Sequence, residues 1–200
     1  MKRTLLFNLT TAILFISCST VKLSTEITCK QLGCPPGTKL IADNLYYDQD
    51  DVRNLDYLEF LHWTKIIYGA NSNEYRTILP DTNQWKKISG KSTSLDTFYL
   101  KHPAYREFPV LGVSSKQAVK FSKWRSDRVM EYTLIKYGIL NYKPVIPKDS
   151  IFTIEKYFAG QYYNVKPNPN ILFYPEYGTL DSISNTNTGF RNICTYKKWK

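Results

Sequence analysis

The stretch Phe108 to Glu131, F-P-V-L-G-V-S-S-K-Q-A-V-K-F-S-K-W-R-S-D-R-V-M-E, decides the reading of this chain. Val110, Leu111 and Val113 read as a buried strand, bounded upstream by Pro109. Ser114 follows as a helix N-cap, with Gln117 three residues on to complete a capping box. Beyond it Ala118, Phe121, Ser122, Arg125 and Val129 fall on one helical stripe, while Lys116, Lys120 and Lys123 lie mostly off it. Spacing alone therefore gives a strand running into an amphipathic core helix.

Upstream, D-D-V-R-N-L-D-Y-L-E-F-L-H-W (residues 50–63) predicts a second helix. Asn54 is placed as its N-cap, Leu55, Leu58, Phe60, Leu61 and Trp63 as its apolar face to about Ile67, and Gly69 as its stop. Asp50 and Asp51 read as charges at the helix start. Before it, P-G-T-K-L-I-A-D-N-L-Y-Y-D from Pro36 predicts one or two short strands. After Gly138 the prolines punctuate short runs, with strands expected at 151–154 and 171–174. The chain closes on T-G-F-R-N-I-C-T-Y (188–196), a final strand.

The wording P-V-x-x-V-S, then Q-A, then F-x-x-W resembles the formylglycine-generating enzyme (sulfatase-modifying factor) family. D-V-R-N-L-D-Y-L-E-F (51–60) resembles that family's E-V-T-N-x-x-Y-x-x-F, and a terminal G-F-R is how its members commonly end. The helix ending K-W-R-S-D-R-V-x-E is similar to that of its envelope lipoprotein members, including those of gliding-motility machinery. The resemblance covers roughly residues 36–68 and 103–133 and the close, and is weak over 138–187. It implies an α+β fold: an abbreviated formylglycine-generating-enzyme, C-type-lectin-like domain with two main helices on short irregular strands.

The N-terminus carries a different signal. Lys2 and Arg3 precede an apolar run, Leu5 to Ile16, too short to span a bilayer but suited to a signal peptide. It ends in L-F-I-S-C, placing Cys18 for lipidation as in bacterial lipoproteins. Residues 1–17 are thus expected as signal peptide, 18–35 as a tether and 36–200 as the domain. Lipid at Cys18 would supply a stable membrane anchor and a place in the cell envelope, facing the periplasm or on the outer membrane. Losing Lys2 and Arg3 lowers the net charge from +10 to +8. The basic residues are scattered apart from Lys197, Lys198 and Lys200, so no nucleic-acid stripe forms.

With Cys18 lipidated, Cys29, Cys34 and Cys194 remain. Cys29 and Cys34 either close a short disulfide loop or stay as two thiols. The resembled enzymes hold copper on two cysteines late in the domain, about five residues apart, and related sulfoxide synthases hold iron on three histidines. Here Cys194 stands alone late in the chain, and His62 and His102 are the only histidines. His62 is expected on a helix and His102 to order the turn at Pro103, while Arg125, Asp127, Arg128 and Glu131 are expected to form a charge network at the helix end. No catalytic residue, metal ligand or cofactor is assigned.

The function expected is therefore a non-catalytic envelope lipoprotein that binds an envelope protein or the cell wall. A formylglycine-generating-type oxidoreductase with a relocated or partner-completed metal site is the alternative. A lectin-like glycan-binding module, suggested by the 15% aromatic content, is the second.

Overall fold

The computed structural model describes residues 29–85, 98–142, 151–163, 165–179 and 189–200, with side chains from residue 31 onward. In chain order, α1 (Cys29–Leu32) leads into a hairpin of β1 (Thr38–Ala42) and β2 (Leu45–Asp48). Then come α2 (Asn54–Tyr68), α3 (Asn73–Arg76), a 3-10 turn (Pro103–Tyr105) and α4 (Ser115–Lys136). The described residues end with α5 (Ile154–Phe158), β3 (Phe173–Thr179) and β4 (Asn192–Lys198). The sheet is antiparallel throughout, in the order β1-β2-β4-β3. The α+β class holds, with α2 and α4 as the long helices among the described residues.

Helix α4 begins where its sequence says it should. The Ser114 hydroxyl accepts from the Gln117 N–H, and the Gln117 side-chain oxygen accepts from the Ser114 N–H at 2.8 Å. The Gln117 amide also donates to the Leu79 carbonyl at 2.7 Å, fixing the helix start to the loop after α3. The buried surface of the helix is mixed. Ala118, Phe121 and Met130 are buried, and so are Ser122 and Ser126. Ser126 Oγ accepts from the Tyr177 N–H of β3 at 2.9 Å, and Ser122 Oγ donates to Asn192 Oδ1 of β4 at 3.0 Å. Each hydroxyl also donates back, or sits close, to the helix carbonyl one turn earlier. These bonds satisfy groups whose burial would otherwise be costly.

Three segments distant in sequence are knitted together beside this helix. Val52 N–H donates to the Phe190 carbonyl, Val110 N–H to the Val52 carbonyl, and Asn54 N–H to the Phe108 carbonyl, each at 2.8 Å. Phe190 stands edge-on to Phe121 at 5.7 Å, within a core that includes Tyr57, Phe60, Val110 and Val113. Gly189 allows this approach, because a Cβ there would lie 2.7 Å from the Pro109 side chain. A second core, of Met130, Leu134, Phe152, Tyr157 and Ile171, fills the space between the end of α4 and α5.

Several sequence expectations are corrected. Val110 and Val113 are buried, but the stretch forms no sheet strand: only the isolated bridge Arg53–Pro109 is made. Pro109 lacks an N–H, and Gly112 turns the chain at φ +78 against Asp81, whose carbonyl leaves no room for a Cβ. The cap of α2 is Arg53, not Asn54; Asp56 Oδ2 accepts from the Arg53 N–H at 3.0 Å. Asn54 is instead fully buried, donating to the Tyr99 and Tyr105 carbonyls.

The acid in the first turn of α2 is Asp56, while Asp51 pairs with Arg191 and Asp50 is exposed in the preceding loop. The strand expected at 151–154 is the approach to α5, because Thr153 Oγ1 accepts from the Lys156 N–H and caps a helix. The strand expected at 171–174 starts two residues later and runs to Thr179. Gly69 ends α2 at φ 92, and β4 forms as expected.

The charge cluster at the end of α4 divides three ways instead of forming one network. Arg125 pairs with Asp48, Arg128 pairs with Glu131 at 2.8 Å, and Asp127 Oδ1 accepts from the Ile154 N–H of α5 at 2.9 Å. Burial pushes the Asp127 carboxyl up to about 6, against the opposing pull of the Ile154 N–H and Arg128. A folded pKa above the unfolded 3.8 favours folding below about pH 4, and that contribution disappears as pH rises through about 6. Asp127→Asn, which keeps the acceptor, is expected to remove on the order of 2 kcal/mol of the stability difference between pH 4.5 and pH 7. Urea unfolding of both proteins at the two pH values measures it; identical pH dependence would refute the assignment.

Candidate functional site

A cleft of about 490 Å³ opens where α2 begins, β2 ends and α4 passes. Its floor comes from α4: Phe121, Trp124, Arg125 and Val129. Its walls come from the end of β2 and the start of α2, with Asp48, Asp50, Asp51, Arg53, Asp56 and Glu59, and its far lip from Pro36 and Gly37. Trp124 lies tilted against Phe60 at 5.3 Å and Phe121 at 5.6 Å, so the aromatic part of the floor is held by the core.

The electrostatic frame of the cleft is built from arginines clamped by carboxylates. Arg125 Nη1 donates to Asp48 Oδ2 at 2.8 Å, and Nη2 donates to the Pro36 carbonyl at 2.9 Å. Its guanidinium lies 4.3 Å from the centre of the Tyr177 ring. Asp48 is 3% exposed, and its Oδ2 also accepts from the Asn192 N–H at 3.0 Å. Burial raises the Asp48 carboxyl above the ordinary value, and Arg125 draws it back. Its other oxygen, Oδ1, is buried without a hydrogen-bond partner, as are the Tyr177 hydroxyl and Asn192 Nδ2.

At the rim, Arg191 Nε donates to Asp51 Oδ1 at 2.6 Å. Arg53 Nη2 donates to Asp56 Oδ1 at 2.7 Å, while its Nη1 reaches Glu107. Asp50 and Glu59 are exposed, and no salt bridge among the described residues includes them. The strongest charges therefore hold the cleft's shape, and two carboxylates remain at its mouth. In a chain of net charge +10, this mouth is locally acidic.

Sequence reasoning placed Arg125 on the packed stripe but missed its partner. Asp48 ends a strand 77 residues earlier, and nothing local marks it. A carboxylate closing an alternating strand, set against an arginine on an apolar helix stripe, was the available signal.

The other singled-out residues lie elsewhere. Cys18 and residues 1–17 fall outside the described residues, as does the side chain of Cys29 and with it the Cys29–Cys34 bridge. Cys34 is exposed beyond α1. Cys194 is fully buried with Tyr46, Tyr177 and Tyr196, and burial pushes its thiol up to about 12. A thiol held so firmly protonated is a poor metal ligand or nucleophile. His62 is exposed on α2. His102 caps the 3-10 turn, its Nδ1 accepting from the Ala104 N–H at 3.2 Å. Trp63 and Trp124, which line a second groove with Phe60 and Tyr68, are part-buried, and both indole N–H groups are covered and unpaired.

Arg125→Ala leaves the Asp48 carboxylate buried without its cation and is expected to cost about 3–5 kcal/mol. Asp48→Asn with Arg125→Met, which removes both charges, is expected to recover much of that. Because protonation relieves the stranded Asp48, the single variant gains stability relative to wild type as pH falls. Denaturant midpoints at pH 5 and pH 8 for the three proteins decide; a neutral single variant would refute the clamp.

Comparison with known proteins adds nothing to this geometry: no protein-family model, no curated protein and no solved structure matches the chain.

Proposed function

We propose that this chain is a bacterial envelope lipoprotein, anchored through Cys18, whose folded body works without catalysis as a binding or scaffold module. In this reading the body is an abbreviated formylglycine-generating-enzyme, C-type-lectin-like domain, and its setting is an envelope assembly of the gliding-motility or secretion type. The family reading is supported by the mutual packing of the segments that carry the resemblance: D-V-R-N, F-P-V and G-F-R meet through main-chain hydrogen bonds.

The observation that carries the binding role is the cleft. Its buried charges are consumed in the Arg125–Asp48 ion pair, which holds α4 to β2, while Arg125 also donates to the Pro36 carbonyl before β1. What it offers outward is an aromatic floor at Trp124 and two rim carboxylates, Asp50 and Glu59. Such a surface recognises a cationic side chain on a protein partner, where rim charges set encounter rate and selectivity more than affinity.

Crosslinking and affinity capture from membranes test this. Wild type is expected to recover a specific envelope protein. Asp50→Asn with Glu59→Gln is expected to lower the yield about fivefold, the summed effect of two exposed ion pairs. Cys18→Ala is expected to lose the membrane fraction. Unchanged capture by the rim variant would refute the cleft as the site, and copper- and oxygen-dependent oxidation of a peptide cysteine by the purified chain would overturn the non-catalytic reading.

A further inference from the structure

Residues 1–28 join the described body at α1, and α1 is fastened to one pole of the molecule. The Tyr137 hydroxyl, at the C-terminal end of α4, donates to the Gln31 carbonyl at 3.3 Å. The Tyr196 hydroxyl of β4 donates to the Gly33 carbonyl at 3.1 Å. Asn44, in the β1–β2 turn, clasps the same residue: its Nδ2 donates to the Tyr196 carbonyl at 2.8 Å, and its Oδ1 accepts from the Tyr196 N–H at 2.9 Å. The hairpin tip, the C-terminal ends of α4 and β4 and the chain's junction with its N-terminal segment therefore share one end.

That end is apolar and basic together. Strand β1 is an edge, paired with β2 alone, and every residue from Lys39 to Ala42 is exposed. Leu40 and Ile41 are 56% and 53% exposed, adjacent large aliphatic side chains with no cover. Lys39 precedes Leu40, Lys136 ends α4 and Lys198 ends β4; these three and Lys200 are exposed, and Asp43 in the hairpin tip is the acidic residue among them. The register shifts between Leu40 and Ala42, a bulge at Ile41 that twists the edge and opposes pairing with a further strand. An aliphatic pair flanked by lysines fits an interface whose interior is hydrocarbon and whose surface is anionic.

We infer that this pole docks on an anionic lipid bilayer, with Leu40 and Ile41 entering the boundary between headgroups and acyl chains and the lysines meeting lipid phosphates. The inference rests on the lipoprotein reading above. Ten residues lie between Cys18 and Cys29, so an anchor at Cys18 would hold the pole within about 40 Å of the surface. Lipid and basic patch then act as two signals on one membrane.

Hydrogen exchange on the full chain isolated with its anchor, in vesicles with and without phosphatidylglycerol, tests the docking. Amides of residues 38–42 that face away from β2 are expected to exchange about tenfold more slowly on the anionic vesicles, the scale of effect that a few lysines near such a surface produce. High salt should abolish the slowing, and residues 69–72 should not change. Leu40→Asp with Ile41→Asp, at exposed sites, should lose the protection while still sedimenting with the vesicles. Sedimentation without protection in wild type overturns the docking and leaves the anchor standing. A Cys18→Ala chain that sediments equally well, with residues 38–42 protected, removes the anchor and leaves the docking standing. Failure of both sedimentation and protection in wild type overturns both.

Discussion

The buried ion pair between Arg125 and Asp48 is the constraint on which the remaining arrangement depends. Arg125 reaches from the middle of α4 to the last residue of β2, to the Pro36 carbonyl and across the Tyr177 ring of β3. Asp48 answers with a bond to the first residue of β4. One side chain thus touches the strands on either side of β4 and the segment leading into the sheet. The pair gains little net energy, because desolvating two charges offsets most of their attraction. Its effect is on geometry: a helix sliding along this sheet by one turn would strand a charge.

The polar stripe of α4 extends the same logic along the helix. Ser122, Arg125 and Ser126 are spaced to face the sheet, and each meets a particular partner: Asn192, Asp48 and the Tyr177 N–H. An apolar stripe of the same width would pack in several registers. Hydrogen bonds to fixed partners leave one low-cost register, since every alternative leaves buried polar groups unpaired. The cost of this arrangement is visible in Asp48 Oδ1, the Tyr177 hydroxyl and Asn192 Nδ2, which are buried beside the pair with no hydrogen-bond partner of their own.

How much of this was legible depended on range. The capping box at Ser114, the stop at Gly69, the turn at His102 and the closing strand are each written within a few residues, and all four stand. The failures at 110–113 and 151–154 are also short apolar runs, where composition cannot tell an extended segment from a strand or a helix start. Gly112 passing Asp81, and the Asp127 carboxylate waiting at the Ile154 N–H, decided those cases from a distance. Asn54 failed for a related reason. Its side chain suits a cap, but two carbonyls from residues 99 and 105 draw it inward, and the neighbouring Arg53–Asp56 pair closes the box instead.

The cleft was legible only in pieces, because it lies at the meeting of elements whose sequences never refer to one another. That origin bears on what it can do. Its arginines are placed by the demands of helix registry, and each is matched by a carboxylate, so the interior presents a set shape with its charge neutralised. Burial raises both the Cys194 thiol and the Asp48 carboxyl above their ordinary values, and Asp48 is tied to Arg125. Trp124 is held by the core, while Asp50 and Glu59 stand in solvent. The same interactions that make the fold specific thus fix the shape of the cleft and leave its unpaired carboxylates at the rim.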